Sequence, residues 1–161
     1  MKRLLAVVAS VVLLAGCASS GRIVRLSSAK ITGPRVIALD APSAPWVIEI
    51  QQRLQQKGFR VLRSGSHTRV TEQTSSRRVE SFNEATARYV LVVNGYAPYD
   101  AMSRCFAGGY KFDHISTDLV DTTTNETILN VNGAGYSENC PPLSGTIFGD
   151  IANAVDAAWV G

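Results

Sequence analysis

Two histidines, three cysteines and few aromatics (7%) leave this 161-residue chain little material for several kinds of chemistry. His67 and His114 are too few for a zinc site without further ligands, and nothing else falls at metal-ligand spacing. No metal and no cofactor is therefore expected. No Gly-x-Ser-x-Gly elbow occurs, and no Cys-x-x-Cys pair suggests redox exchange. Gly133-Ala134-Gly135 opens like a dinucleotide loop, but Glu138 stands where the third glycine belongs and no helix starts there. Basic stretches lack the interleaved aromatics of a nucleic-acid surface, so no nucleic-acid partner is expected. No apolar run reaches transmembrane length, and no solenoid-type repeat is present. No catalytic residue can be assigned, and the chain is read as not an enzyme.

What is present suits one folded domain. Hydrophobic residues make up 45% and charged residues 18% of the chain, enough for a core and too apolar for wholesale disorder. The formal net charge is +3, a mild hint of anionic partners.

The first segment changes that hint. Met1-Lys2-Arg3 is a basic start, and Leu4 to Leu14 is an apolar run of 11 residues. As a helix it rises roughly 16 Å, about half a bilayer's hydrocarbon core, which fits an export signal. It leads into Leu14-Ala15-Gly16-Cys17, which resembles the lipobox of bacterial lipoproteins. The resemblance implies that residues 1–16 are a signal peptide cut before Cys17. It also implies diacylglycerol on the Cys17 thiol and an acyl chain, such as palmitate, on the new amino terminus. Several acyl chains make a firm anchor. Ala18, where an Asp would favour the inner membrane, points to the outer membrane, with the domain facing the periplasm. Removing residues 1–16 leaves 14 basic and 13 acidic residues, a balance of +1.

Residues 17–33 read as a lipidated tether that pairs locally near Ile23–Leu26, with an extended reach of roughly 50 Å. Residues 34–161 read as a single periplasmic domain. Pro34–Asp40 is a short buried strand. Ser43 is the expected cap of a helix through Val47, Ile50 and Leu54, with Pro45 in its first turn. Lys57-Gly58 stops it, and Phe59–Arg63 completes a β-α-β unit. Ser64–Ala85 is polar and reads as loop, with a short helix allowed around Val79–Ala85. Arg88–Tyr96 is apolar on both faces and is expected to be central and covered. Tyr110–Asp121 and Glu126–Tyr136 flank a polar turn, with a bulge expected near Asn132–Gly135. Ile147, Phe148, Ile151, Ala154, Val155, Ala158 and Trp159 mark a closing helix. The predicted class is α/β (α+β): a β-α-β unit, an antiparallel three-strand meander and a C-terminal helix in a two-layer sandwich.

Cys105 and Cys140 lie 35 positions apart, and their midpoint falls in the Asp121–Asn125 turn. Residues equidistant from a hairpin turn face each other, so the two cysteines are expected to form a disulfide in an oxidising compartment.

Charge is unevenly spread. Residues 17–104 carry 13 basic and 6 acidic residues, whereas residues 105–161 carry one basic and 7 acidic. Either both halves mix on one surface, or an arginine-rich loop including Arg69, Arg77 and Arg78 meets an acidic partner or glycan.

Three segments carry a further resemblance: Gln56–Val61, Ala87–Gly95 and Thr117–Leu129. Strand, helix, strand, linker, three-strand meander and closing helix resemble the TolB N-terminal, CsgG-like and LpoB-like domains. Arg88 replaces the acid usual there, and Asn125 the glycine. The resemblance implies binding, not catalysis. The expected function is an outer-membrane lipoprotein that binds another envelope protein as an accessory or assembly factor. Alternatives are a subunit of a secretion or conjugation apparatus and a peptidoglycan- or glycan-binding module.

Overall fold

The computed structural model of the chain describes residues 19–63, 87–98, 105 and 107–160. Its elements in chain order are β1 (Ser19–Arg25), β2 (Val36–Asp40), α1 (Val47–Gln56), β3 (Arg60–Arg63), β4 (Tyr89–Tyr96), β5 (Lys111–Asp121), β6 (Glu126–Tyr136) and α2 (Ile147–Asp156). The six strands form one mixed sheet in the order β1-β6-β5-β4-β2-β3. β2 pairs in parallel with both β3 and β4, and β4, β5 and β6 form an antiparallel meander. The two helices pack together on one face of the sheet, giving the expected two layers.

Local chemistry accounts for most of these limits. Val47, Ile50 and Leu54 recur at helical spacing and are the buried stripe of α1, each contributing roughly 1.5–3 kcal/mol of apolar burial. Ser43 does not cap this helix. Trp46 occupies the cap position without a side-chain bond, and Pro45 stands outside the helix. The chain instead enters through tight turns, with Val47 N donating to Ala44 O and Ile48 N to Pro45 O, while Trp46 is buried against Phe112. The other end follows the sequence. Gly58 has φ +83°, a conformation costly for any residue with a Cβ, and Phe59 N returns to Leu54 O in the manner of a glycine-closed helix.

The hairpin runs from Asp121↔Glu126 to Lys111↔Tyr136 and contains two irregularities, at Leu119/Val120 and at Phe112/Ile115. The first places the extra residue, Ile128, on β6. The second lies opposite Ala134, where the sequence predicts a bulge, but its extra residue is on β5. The two offsets cancel, so the open end keeps its register. Cys105 and Cys140 lie just beyond it, joined as a disulfide with Cα atoms 4.9 Å apart. Gly109 makes this possible: a Cβ there would collide with the Glu138 and Asn139 carbonyls and Cys140 Sγ.

Two expectations change. β4 is central, but only Tyr89, Leu91 and Val93 are buried, whereas Val90 and Val92 are half-buried and Asn94 is exposed. The segment read as a tether is also largely paired with the sheet. Residues Ser19–Arg25 are a full edge strand paired with Leu129–Gly135 of β6. Ile31 is buried and bridges Trp159. The paired surface begins at residue 19, not 34, because β6 presents an unpaired edge that a locally nondescript segment can fill.

Candidate functional site

Most charges of the described residues hold the scaffold together. Arg35 Nη1 donates to Asp156 Oδ1 at 2.5 Å, and Lys57 Nζ reaches Asp156 Oδ2 at 3.4 Å. This joins the end of α1 to the end of α2. The Arg35 hydrogen bond holds the Asp156 carboxyl below the ordinary carboxylate range; burial opposes that shift and Lys57 adds to it. At the other end of α2, Glu138 accepts from Phe148 N at 3.2 Å and Gly149 N at 2.7 Å, and pairs with Arg53 at 3.6 Å. A carboxylate two residues from Cys140 therefore satisfies the helix's first donors, and Thr146 supplies no such cap.

The third pair borders a cleft of about 610 Å³. Its walls include Lys30, Ile31, Arg88, Tyr89, Asp121 and Thr127. Arg88 grips Asp121 through Nε at 3.1 Å and Nη2 at 2.8 Å, and Asp121 Oδ1 also accepts from Thr123 N at 2.9 Å. These bonds, led by that from Arg88, lower the Asp121 pKa against the opposing effect of burial. They also shape the β5–β6 turn, since Thr122 N and Oγ1 both donate to Arg88 O. Arg88 and Asp121 are thus committed to each other and leave no free acid–base pair. Lys30 Nζ is likewise occupied, donating to Ala157 O at 2.5 Å, as is Arg25 Nη2 at 2.7 Å. Two cations at the C-terminal end of α2 suit its dipole.

Against this background the remaining cations stand out. Among the described residues, the exposed side chains of Arg22, Arg60 and Arg63 make no ion pair, hydrogen bond or ring contact. Arg22 lies on β1, and Arg60 and Arg63 end β3. Among the described residues these are the two outer strands of the sheet, and their outward backbone groups have no neighbouring strand there. Charged edge strands discourage self-pairing and favour partners of opposite charge.

Cys17, Arg69, Arg77 and Arg78 lie outside the described residues, as does His67. His114 is exposed on β5, and no group of three His, Cys, Asp or Glu among the described residues could hold a metal. No described helix is long and apolar enough to cross a membrane. The Glu138 clamp and the Arg88–Asp121 pair were not legible as sites. Their partners lie 10 and 33 residues apart, and only the fold brings them together.

No family model and no curated protein matches the chain. Among solved structures, two of the PelC dodecamer from Paraburkholderia phytofirmans share its fold. Each is 14% identical and covers 88% of this chain, with TM-scores of 0.50 and 0.51 over 100% and 99% of the PelC chain. TolB from Acinetobacter baumannii is 12% identical, with a TM-score of 0.41 over 87% of this chain and 31% of that one. The PelC likeness shows a common fold.

Proposed function

We propose that the protein is a non-enzymatic lipoprotein of the bacterial outer membrane, held through Cys17, that binds another envelope protein as an accessory or assembly factor. The observation that carries this reading is the contrast in its charges. The paired groups tie helices and turns into a rigid body, while the unpaired arginines gather on the two sheet edges. Open edges accept an added strand, and free arginines favour an acidic one. Arg69, Arg77 and Arg78 are proposed to extend the basic surface that follows Arg60 and Arg63 in the chain.

Affinity capture from crosslinked envelopes, using the intact lipoprotein, tests the reading. A specific envelope protein is expected in the eluate. Its yield should fall when Arg60, Arg63, Arg69, Arg77 and Arg78 are changed to Glu. Capture of no specific protein by the wild type would overturn it.

A second reading is favoured by one specific observation: the shared fold belongs to a protein crystallised as a dodecamer. On this reading the chain is a structural subunit of an envelope assembly and its partner is a further copy of itself. Native mass spectrometry separates the two. A ring-sized multiple supports the assembly subunit, and a monomer supports the accessory factor.

A further inference from the structure

The first residue of β1 is only two positions beyond Cys17. If Cys17 is acylated, Ser19 stands no more than roughly 7 Å of extended chain from the anchor. β1 is therefore the element that covalent geometry holds closest to the bilayer. The tether expected from sequence would have let the domain drift tens of ångströms away; this connection does not.

The exposed side chains of β1 and of the residue that follows it match that position. Ile23 is 51% and Leu26 61% exposed. Val160 is 52% exposed and is hydrogen-bonded to Ile31, on the chain that continues from β1. Half of the exposed large hydrophobics among the described residues thus lie on β1, its continuation and the C-terminal segment bonded to it; the others are Ile48, Tyr96 and Leu143. Arg22, paired opposite Asn132, lies on the face away from the helices and has no partner, while Ile23 and Arg25, opposite Val131 and Leu129, lie on the helix side, where Arg25 and Lys30 add positive charge at Ala157 O. Glu126, which lines the same cleft as Leu26 and Lys30, is the acid beside this row.

Two orientations satisfy the short link. If β1 stood upright, its rise of about 3.3 Å per residue would hold Ile23 and Leu26 roughly 13 and 23 Å above Ser19, in water. If it lies along the surface with the sheet edge down, side chains on both of its flanks reach the headgroup layer, where apolar burial and attraction of arginine to lipid phosphate act together. The outward backbone groups of the edge then face hydrated headgroups instead of hydrocarbon, so they stay solvated.

We propose that the β1 edge is a membrane-contact surface: the domain lies with β1 along the lipid headgroups, Ile23 and Leu26 inserted and Arg22 facing lipid phosphate. This leaves β3, at the opposite edge, as the surface turned toward protein partners. The inference rests on the anchoring proposed above, and the following test keeps the two apart.

The mature lipoprotein, its acyl mass confirmed, is reconstituted in nanodiscs of phosphatidylethanolamine and phosphatidylglycerol doped with a gadolinium lipid. Methyl relaxation is then read residue by residue. The expected result is a several-fold larger enhancement at Ile23 and Leu26 than at Ile48 and Val61. Arg22→Glu with Leu26→Ser, in protein whose remaining methyl spectrum is unchanged, should bring Ile23 close to the level of Ile48. Enhancement in the wild type no larger at Ile23 and Leu26 than at Ile48 and Val61, on acylated protein, would overturn the membrane contact and leave the anchor standing. A mature protein without acyl mass would overturn both.

Discussion

Along β4, Tyr89, Leu91 and Val93 point under the helices and are buried, while Val90, Val92 and Asn94 point away and are half-buried or exposed. The neighbouring strands repeat the contrast. On β5 and β6, Ile115, Leu119, Leu129 and Val131 are buried, and Asp118, Asn130 and Asn132 lie on the other face. That second face is held by a polar ladder, Asn130 Nδ2 to Asp118 Oδ1 at 2.6 Å and Asn132 Nδ2 to Asn130 Oδ1. One face supplies stability. The other is paired within itself, which leaves the sheet's rims as the places with unused hydrogen-bonding and charge.

The contrast can be broken or sharpened by substitution. The largest effect is expected at Leu91, which is fully buried. Leu91→Ala should cost about 2–5 kcal/mol in denaturant unfolding, and a loss no larger than that of a surface change would refute a packed helix-side core. Next is the disulfide. Cys105→Ser with Cys140→Ser should cost about 2–4 kcal/mol, since the loop closed by the bridge spans 35 residues and also carries Glu138.

Arg88→Ala leaves buried Asp121 without its main partner and should lower the urea midpoint, by less than either change above. The same pair sets a pH dependence. Asp121 and Asp156 have folded pKa values below their unfolded ones. Their contribution is therefore complete above an unfolded value of about 4 and is lost as pH falls through the lowered folded values. Urea midpoints between neutral and acid pH should show this fall, and Arg88→Ala should flatten it.

Thr117 is the exception on the buried face: it is 1% exposed and its Oγ1 has no hydrogen-bond partner. Thr117→Val should stabilise by about 1 kcal/mol, and destabilisation would show that the hydroxyl is in fact satisfied. The smallest effect belongs to the open face. Asn130→Ala should stay within about 0.5 kcal/mol, and a much larger loss would mean that this face also bears stability.

The fold was largely readable because its signals are local. Lys57-Gly58 ended α1, a polar turn separated β5 from β6, and short apolar runs marked the strands. The cysteine pairing was readable because hairpin symmetry turns a midpoint into a contact, and the two bulges sit on opposite strands. β1 was only partly legible. Ser-Ser-Gly-Arg-Ile-Val-Arg has little alternation, and its strand state comes from β6, more than 100 residues away in sequence. The Glu138 cap was hidden for the same reason: it reaches the closing helix from ten residues before its first turn, while Thr146 at the cap position makes no side-chain cap bond. The arginines were legible as an excess of charge, but their division into paired and free depended on where Asp121 and Asp156 fell.

Everything proposed for function begins at Cys17. Metabolic labelling with a clickable palmitate analogue, comparing the wild type with Cys17→Ser, tests that point directly. The account predicts a labelled protein in the outer-membrane fraction and an unlabelled, unprocessed variant. A wild type without label, or a Cys17→Ser variant that keeps it, would contradict the account.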